Sequence, residues 1–154
     1  MSKSPLIAFT TTLLVRDTCL CLHVQRAARA LARRFDEALR PLGITNGQFS
    51  LMMSLNRPEP PTIGAVASVL AMDRTTLTAA LKPLERRALV ETFVDSGDRR
   101  LRRIRLTSDG ERLLAEAVPI WKETHGAVDR QLGESGPDRL RADLLALATS
   151  AEPA

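Results

Sequence analysis

The 154-residue sequence predicts a mainly α-helical fold that carries one small β-hairpin. Apolar side chains recur at three- and four-residue spacing through most of the chain, two short stretches alternate as strands do, and a turn sequence with a glycine separates those two. An apolar content of 44% with 26% charged residues is that of a folded chain, and the length is that of one subunit, residues 1–154.

The first helix is expected from about Thr18 to Leu42. Leu20, Val24, Ala27, Ala28, Leu31, Phe35, Leu39 and Leu42 form its apolar stripe, with Arg26, Arg29, Arg33 and Arg40 off it. Gly43 ends it. Thr45 and Gln48 have the spacing of a capping box and open a helix to about Asn56 that buries Phe49, Met52 and Leu55. The stretch from Arg57 to Pro61, RPEPP, cannot continue a helix, so Thr62 caps a new one with Ile63, Val66, Ala67 and Leu70 inward. After a turn near Ala71 and Met72, Asp73 starts a fourth helix, whose inner face is Leu77, Ala80 or Leu81, Leu84 and Ala88. Residues 89–94 and 102–106 form the hairpin, with Gly97 suited to its turn. Alternation places Ile104 and Leu106 on one face of the second strand and Arg103 and Arg105 on the other. Thr107 then restarts a helix carrying Leu113, Leu114, Ala117, Val118 and Trp121, and Pro137 opens a last one with Leu140, Leu144 and Leu147.

Charge narrows the partner. The net charge of +4 is regional: residues 1–57 carry +5, residues 82–106 carry +4, and residues 107–154 carry −4. Five arginines fall between Arg99 and Arg105. Such local basicity suits a polyanion, nucleic acid before an anionic membrane. The weakly polar stretch from Leu6 to Val15 is too short to span a bilayer, and Arg16 and Asp17 stand where a signal peptide would place small residues. A cytoplasmic protein with Cys19 and Cys21 as reduced thiols is expected. The chain has no phosphate-cradling glycine loop, no metallohydrolase motif and no Cys–His arrangement of recognised spacing, which argues against an enzyme. Cys19 and His23 share a helix face but lack further ligands in the sequence, so neither a metal site nor a cofactor is expected.

Two short helices, a polar-faced helix and a basic hairpin, in that order, make a winged helix-turn-helix at residues 45–106. In LGIT and QFSLM (42–53), TIGAVASVLAMDRTTLT (62–78), LERRALV (84–90) and DRRLRRIRLTSDG (98–110), the sequence resembles the MarR family of bacterial transcription regulators. The resemblance implies a homodimer, with residues 18–42 and 107–150 as the helical dimerisation region and one winged module per chain on a near-palindromic, inverted-repeat operator in double-stranded DNA. An apolar N-terminal stripe and Leu/Ala-rich C-terminal helices fit a twofold dimer. Repression follows family habit, as does release by a small-molecule effector of unknown identity.

The implied DNA-facing set is Thr62, Arg74, Thr75, Thr76, Thr78, Lys82, Asp98, Arg99, Arg100, Arg102 and Arg103. Arg74 and the three threonines lie in the first turns of a recognition helix, where side chains reach base edges. Arginine can clamp guanine, and Lys82 is better placed for a phosphate. The threonine hydroxyls have local backbone bonding as their competing use. The resemblance assigns Arg100 to the minor groove and makes Asp98 its brace, with Arg99, Arg102, Arg103 and Arg105 as phosphate contacts. A solvated outer strand is the other reading for Arg103 and Arg105, as a simple turn cap is for Asp98. Ala79 stands where many members carry a larger polar residue. Pro83 removes a hydrogen bond within the recognition helix, and Ala88 replaces a usual glycine, a cost of up to about 1 kcal/mol if that backbone is left-handed.

Cys21 is the candidate redox residue. Its distance from LGIT resembles that of the reactive cysteine in the organic-hydroperoxide-sensing branch, which gives a thiol-based repressor as an alternative. That branch supports its thiol with tyrosines, and this chain has none, carrying Gln25 and Phe35 at the corresponding positions. A winged helix used only to bind protein is the more distant alternative, and it would not need an arginine-dense wing.

Overall fold

The computed structural model describes residues 6–149, which divide between Arg34 and Phe35 into two compact units. The first unit opens with a helix that the sequence reading does not anticipate, α1 (Phe9–Thr18), which overlaps the Leu6 to Val15 stretch that is too short for a membrane span. Three consecutive β-branched threonines, Thr10 to Thr12, weaken its helical signature. Thr18 closes it by donating its hydroxyl to the Leu14 carbonyl (2.7 Å), and extended backbone at Cys19 separates it from α2 (Leu20–Leu39). The single helix expected from Thr18 is therefore two helices broken at Cys19. No side chain of α1 is buried, and Leu14, Val15, Leu20, Val24 and Leu31 are exposed. Among the described residues no helix is long and apolar enough to cross a membrane.

The last turn of α2, from Phe35, belongs to the second unit, where Phe35 and Leu39 are buried. Pro41 has no N–H to continue an α-helix, so Arg40–Leu42 tighten into a 3₁₀ turn that ends at Gly43 with φ +66°. The reciprocal capping box of Thr45 and Gln48 then starts α3 (Asn46–Leu55), which buries Phe49, Leu51, Met52 and Leu55. Thr62 caps α4 (Ile63–Val69) and Asp73 caps α5 (Arg74–Arg86). The inward residues of these helices are Val66, Ala67, Leu77, Leu81 and Leu84, all buried, and α5 remains helical through Pro83. With Ile44, Leu89, Val90, Ile104, Leu114 and Ala117 they form one core.

Ala88 lies outside the helix and exposed, not on the inner face of α5 as the periodicity predicts. Its φ is +54°, and Ala71 after α4 has φ +51°. Both are the left-handed residue of a Schellman ending. Leu89 N donates to Leu84 O (3.0 Å) and Ala88 N to Glu85 O (2.9 Å), with the same pattern from Met72 to Ala67 and from Ala71 to Ser68. A left-handed residue with a Cβ carries strain of about 1–2 kcal/mol, while a glycine adds back about 0.4–1 kcal/mol through the unfolded chain. Ala88→Gly is therefore expected to raise stability by about 0.5–1 kcal/mol, read as a higher urea midpoint with an unchanged slope.

The hairpin pairs β1 (Val90–Val94) with β2 (Arg102–Leu106), antiparallel, from Val90 opposite Leu106 to Val94 opposite Arg102. Thr107 caps the long α6 (Ser108–Leu132), on which Trp121 stacks between Phe49 of α3 and His125. A 3₁₀ turn (Gly133–Ser135) leads to α7 (Pro137–Thr149), which buries nothing and exposes Leu140, Leu144, Leu145 and Leu147.

Candidate nucleic-acid interface

Helix α5, the candidate recognition helix, is fixed at its start. The Asp73 carboxylate accepts from Thr76 N and from the Thr76 hydroxyl, both at 2.7 Å, and these bonds hold the carboxyl below the usual carboxylate range. The Thr78 hydroxyl donates to Arg74 O (2.8 Å). The local backbone and cap chemistry weighed against the threonines thus occupies the hydroxyl protons of Thr76 and Thr78, each keeping oxygen lone pairs for an incoming donor. The exposed faces of Arg74, Thr75, Thr78, Ala79 and Lys82 line one shallow concavity along α5.

The wing is anchored to the start of α4 by carbonyl groups of the proline-rich loop. Ile104 N donates to Pro61 O (3.0 Å), Thr62 bridges Arg103 as a fragment of a third strand, and Arg103 Nη1 donates to Pro60 O (2.7 Å). Prolines offer no N–H to a ladder, yet their carbonyls serve as acceptors at its edge. Thr62 itself caps α4 by accepting from Ala65 N (3.2 Å).

Asp95 organises the hairpin loop, which is longer than a tight two-residue turn. Its carboxylate accepts from Gly97 N (3.0 Å) and Asp98 N (2.9 Å) and pairs with Arg103, and the Arg103 guanidinium, followed by the Asp98 amide, holds the carboxyl below its ordinary range. Asp98 in turn accepts from Arg100 N (3.0 Å) and Arg100 Nε (3.3 Å). Gly97 is not at positive φ, so the two aspartates turn this chain by Asx bonding, not by the glycine.

These anchors sort the arginines. The Arg103 side chain is 31% exposed and committed to Asp95 and Pro60, while Arg105 pairs with Glu91 and lies 4.7 Å over the Phe93 ring. Arg99, Arg100 and Arg102 stand exposed, the Arg100 side chain at 91%. A second concavity brings Thr62, Gly64, Arg74 and Thr78 together with Arg100 and Arg102 of the wing. Arg74 and Thr78 border both hollows, which makes a single basic surface running from Lys82 to the wing. Its exposed guanidinium groups can grip phosphates or clamp base edges. Sequence reasoning missed Asp95, whose spacing to Gly97 and Asp98 in DSGD is an Asx-turn signal, and the carbonyls of Pro60 and Pro61, which only tertiary pairing reveals.

In the first unit Cys21 is exposed and receives a bond from Gln25 Nε2 (3.2 Å), and Cys19 receives one from Leu22 N (3.5 Å). Both are free thiols. His23 Nδ1 lies 2.7 Å from Cys19 O, so that ring is tied to its own helix backbone.

Comparison with known proteins gives a consistent picture. Residues 44–101 match the MarR family. The organic hydroperoxide resistance transcriptional regulator of Bacillus subtilis is 31% identical over 115 residues, 75% of this chain and 78% of that protein. The Mycobacterium tuberculosis transcriptional regulator MosR, solved in complex with DNA, superposes with a TM-score of 0.79 at 36% identity, over 86% of this chain and 96% of that one. The Staphylococcus aureus MepR–DNA complex gives 0.76 at 25% identity, over 85% and 97%.

Proposed function

Since this chain belongs to the MarR family of DNA-binding transcriptional regulators, we propose that it acts as a cytoplasmic, homodimeric repressor that binds an inverted-repeat operator and is released by a small-molecule effector. The observation that carries this reading is the basic surface shared by the first turns of α5 and the wing. On it, Arg74 and Thr75 meet base edges in the major groove, Arg100 enters the minor groove, and Lys82, Arg99 and Arg102 hold phosphates. Thr62, Thr76 and Thr78 contribute through their oxygens. Asp98 braces Arg100, and Arg103 acts chiefly by fixing the wing to the proline loop. Dimerisation is supported by the apolar side chains that α1, α2 and α7 leave exposed, which a second copy would cover.

The test is sedimentation of the full chain alone and with its promoter DNA, with footprinting of the complex. A dimer protecting two half-sites about one helical turn apart is expected. A monomer, or a single unpaired half-site, would overturn the reading.

Release by thiol oxidation is the second reading, favoured by the exposure of Cys21 and by the relative named for organic hydroperoxide resistance. Its discriminating arm adds stoichiometric cumene hydroperoxide to the same complex. Retained binding rejects sensing, whereas release by the wild type but not by Cys21→Ser establishes it.

A further inference from the structure

Arg74, the first residue of α5, sends its guanidinium back onto α4, where it lies against the bare backbone of Gly64. A methyl group placed on Gly64 would stand 2.8 Å from Arg74 Nη2, 3.6 Å from Cζ and 3.8 Å from Nε. Three atoms of the guanidinium plane thus rest over the position where any other residue carries its Cβ. Arg74 is exposed and makes no ion pair among the described residues, so shape, not a carboxylate, directs it. Gly64 is the second residue of α4, where its φ is not positive, so no turn requires a glycine there. The hollow holding the pair is the one that Thr62, Thr78 and Arg100 also line.

We propose that Gly64 is a specificity-determining position: its missing side chain forms the seat that aims the Arg74 guanidinium at one base edge, although Gly64 itself has no group to read a base. The inference rests on the reading of Arg74 as a base contact. Arginine discriminates guanine by a planar, bidentate fork, so a small change in the direction of the plane removes discrimination while leaving the charge in place. Phosphate contacts tolerate such a change, because they depend on charge more than on angle.

Gly64→Ala therefore has an unusual signature. Only the far end of a flexible side chain must move to admit the methyl. Alanine is also the better helix former, so the melting temperature is expected to hold or rise. Discrimination against the wrong base at one position per half-site is expected to fall roughly ten-fold. Affinity for random duplex and the salt slope should stay those of the wild type, since no charge is lost.

The experiment uses the full chain, an operator selected from a randomised duplex pool, and fluorescence anisotropy over single-base operator variants with thermal melts alongside. It compares wild type, Gly64→Ala, Arg74→Ala and the double variant. The expected result is that both single variants relax the same position and that Gly64→Ala adds nothing once Arg74 is gone. Wild-type discrimination by Gly64→Ala beside relaxed discrimination by Arg74→Ala would overturn the seat while sparing the base contact. Unchanged discrimination by Arg74→Ala would overturn the base contact and the seat with it. A melting temperature several degrees lower for Gly64→Ala would place that residue in packing and also overturn the proposal.

Discussion

Arg100→Ala is expected to weaken operator binding roughly 30- to 100-fold while leaving the melting temperature nearly unchanged, the largest functional effect expected of any single residue here. The side chain is 91% exposed, so its 3.3 Å pair with the half-exposed Asp98 adds little to stability. Its backbone N–H keeps its own bond to Asp98 in the variant, so the loop geometry survives the loss of the guanidinium. What is lost is a cation exposed on the wing, which the proposed function places in a narrow A·T-rich minor groove where negative potential is concentrated. The residues proposed to hold phosphates should leave a different mark: Arg102→Ala or Lys82→Ala should weaken operator and random DNA alike and lower the salt slope by about one unit per contact. Anisotropy titrations over a salt series, with melts of each variant, separate the two. Operator binding by Arg100→Ala equal to wild type at every salt concentration would refute the minor-groove role.

Gly110→Ala is expected to cost about 3 kcal/mol, the largest loss of stability expected for so small a change. Gly110 is buried in the first turn of α6, where an added methyl would stand 2.0 Å from the Leu89 carbonyl oxygen, 3.0 Å from its carbon and 3.3 Å from Leu106 Cδ2. That backbone cannot yield cheaply. Leu89 O already accepts from Thr107 N (3.1 Å), the Thr107 hydroxyl donates to Ala88 O, and Gly110 N donates back to the same hydroxyl (3.1 Å). The methyl would pry the start of α6 from the point where α5 passes into β1. For a chain of this size such a loss lowers the melting temperature by roughly 6–12 °C. Gly47→Ala is the control of opposite sign: in α3 its methyl meets only Thr45 Oγ1, at 3.9 Å, so a helix-propensity gain of up to about 1 kcal/mol is expected. Circular-dichroism melts of both variants check the pair, and wild-type melting of Gly110→Ala would show that the close approach is not obligatory.

Gly110 illustrates how far a sequence of this kind can be read. The TSDG motif is visible in the chain, and Thr107 as a helix cap follows from it, but the neighbour that forbids a side chain comes from Leu89, far away in the sequence. The same division runs through the molecule. The caps at Thr45 and Thr62, the helix starts at Asp73 and Thr107, the buried positions Phe49, Met52, Leu55, Val66, Ala67, Leu77 and Leu84, and the pairing of β1 with β2 were legible because each depends on side chains within a few residues or on a simple period, whereas Leu51 and the left-handed Ala88 escaped that period. The cationic residues of the recognition helix and wing were legible for the same reason, since charge density and strand alternation are local properties.

Where two local signals were weak or in conflict, the chain chose otherwise. Threonine-rich α1 carried too faint a helical pattern to be assigned, and Gly97 drew attention as a turn residue that the neighbouring aspartates made unnecessary. By itself the sequence determined the helices from α3 onward, the two strands and where positive charge gathers, because backbone propensity and side-chain period act over a turn or two. Only the tertiary structure decided which of five neighbouring arginines stay free, because Arg103 is claimed by Asp95 across the hairpin and by Pro60 from a distant loop. It likewise decided which glycines are seats for another residue, because a close approach is a property of two segments, and neither carries it in its own sequence.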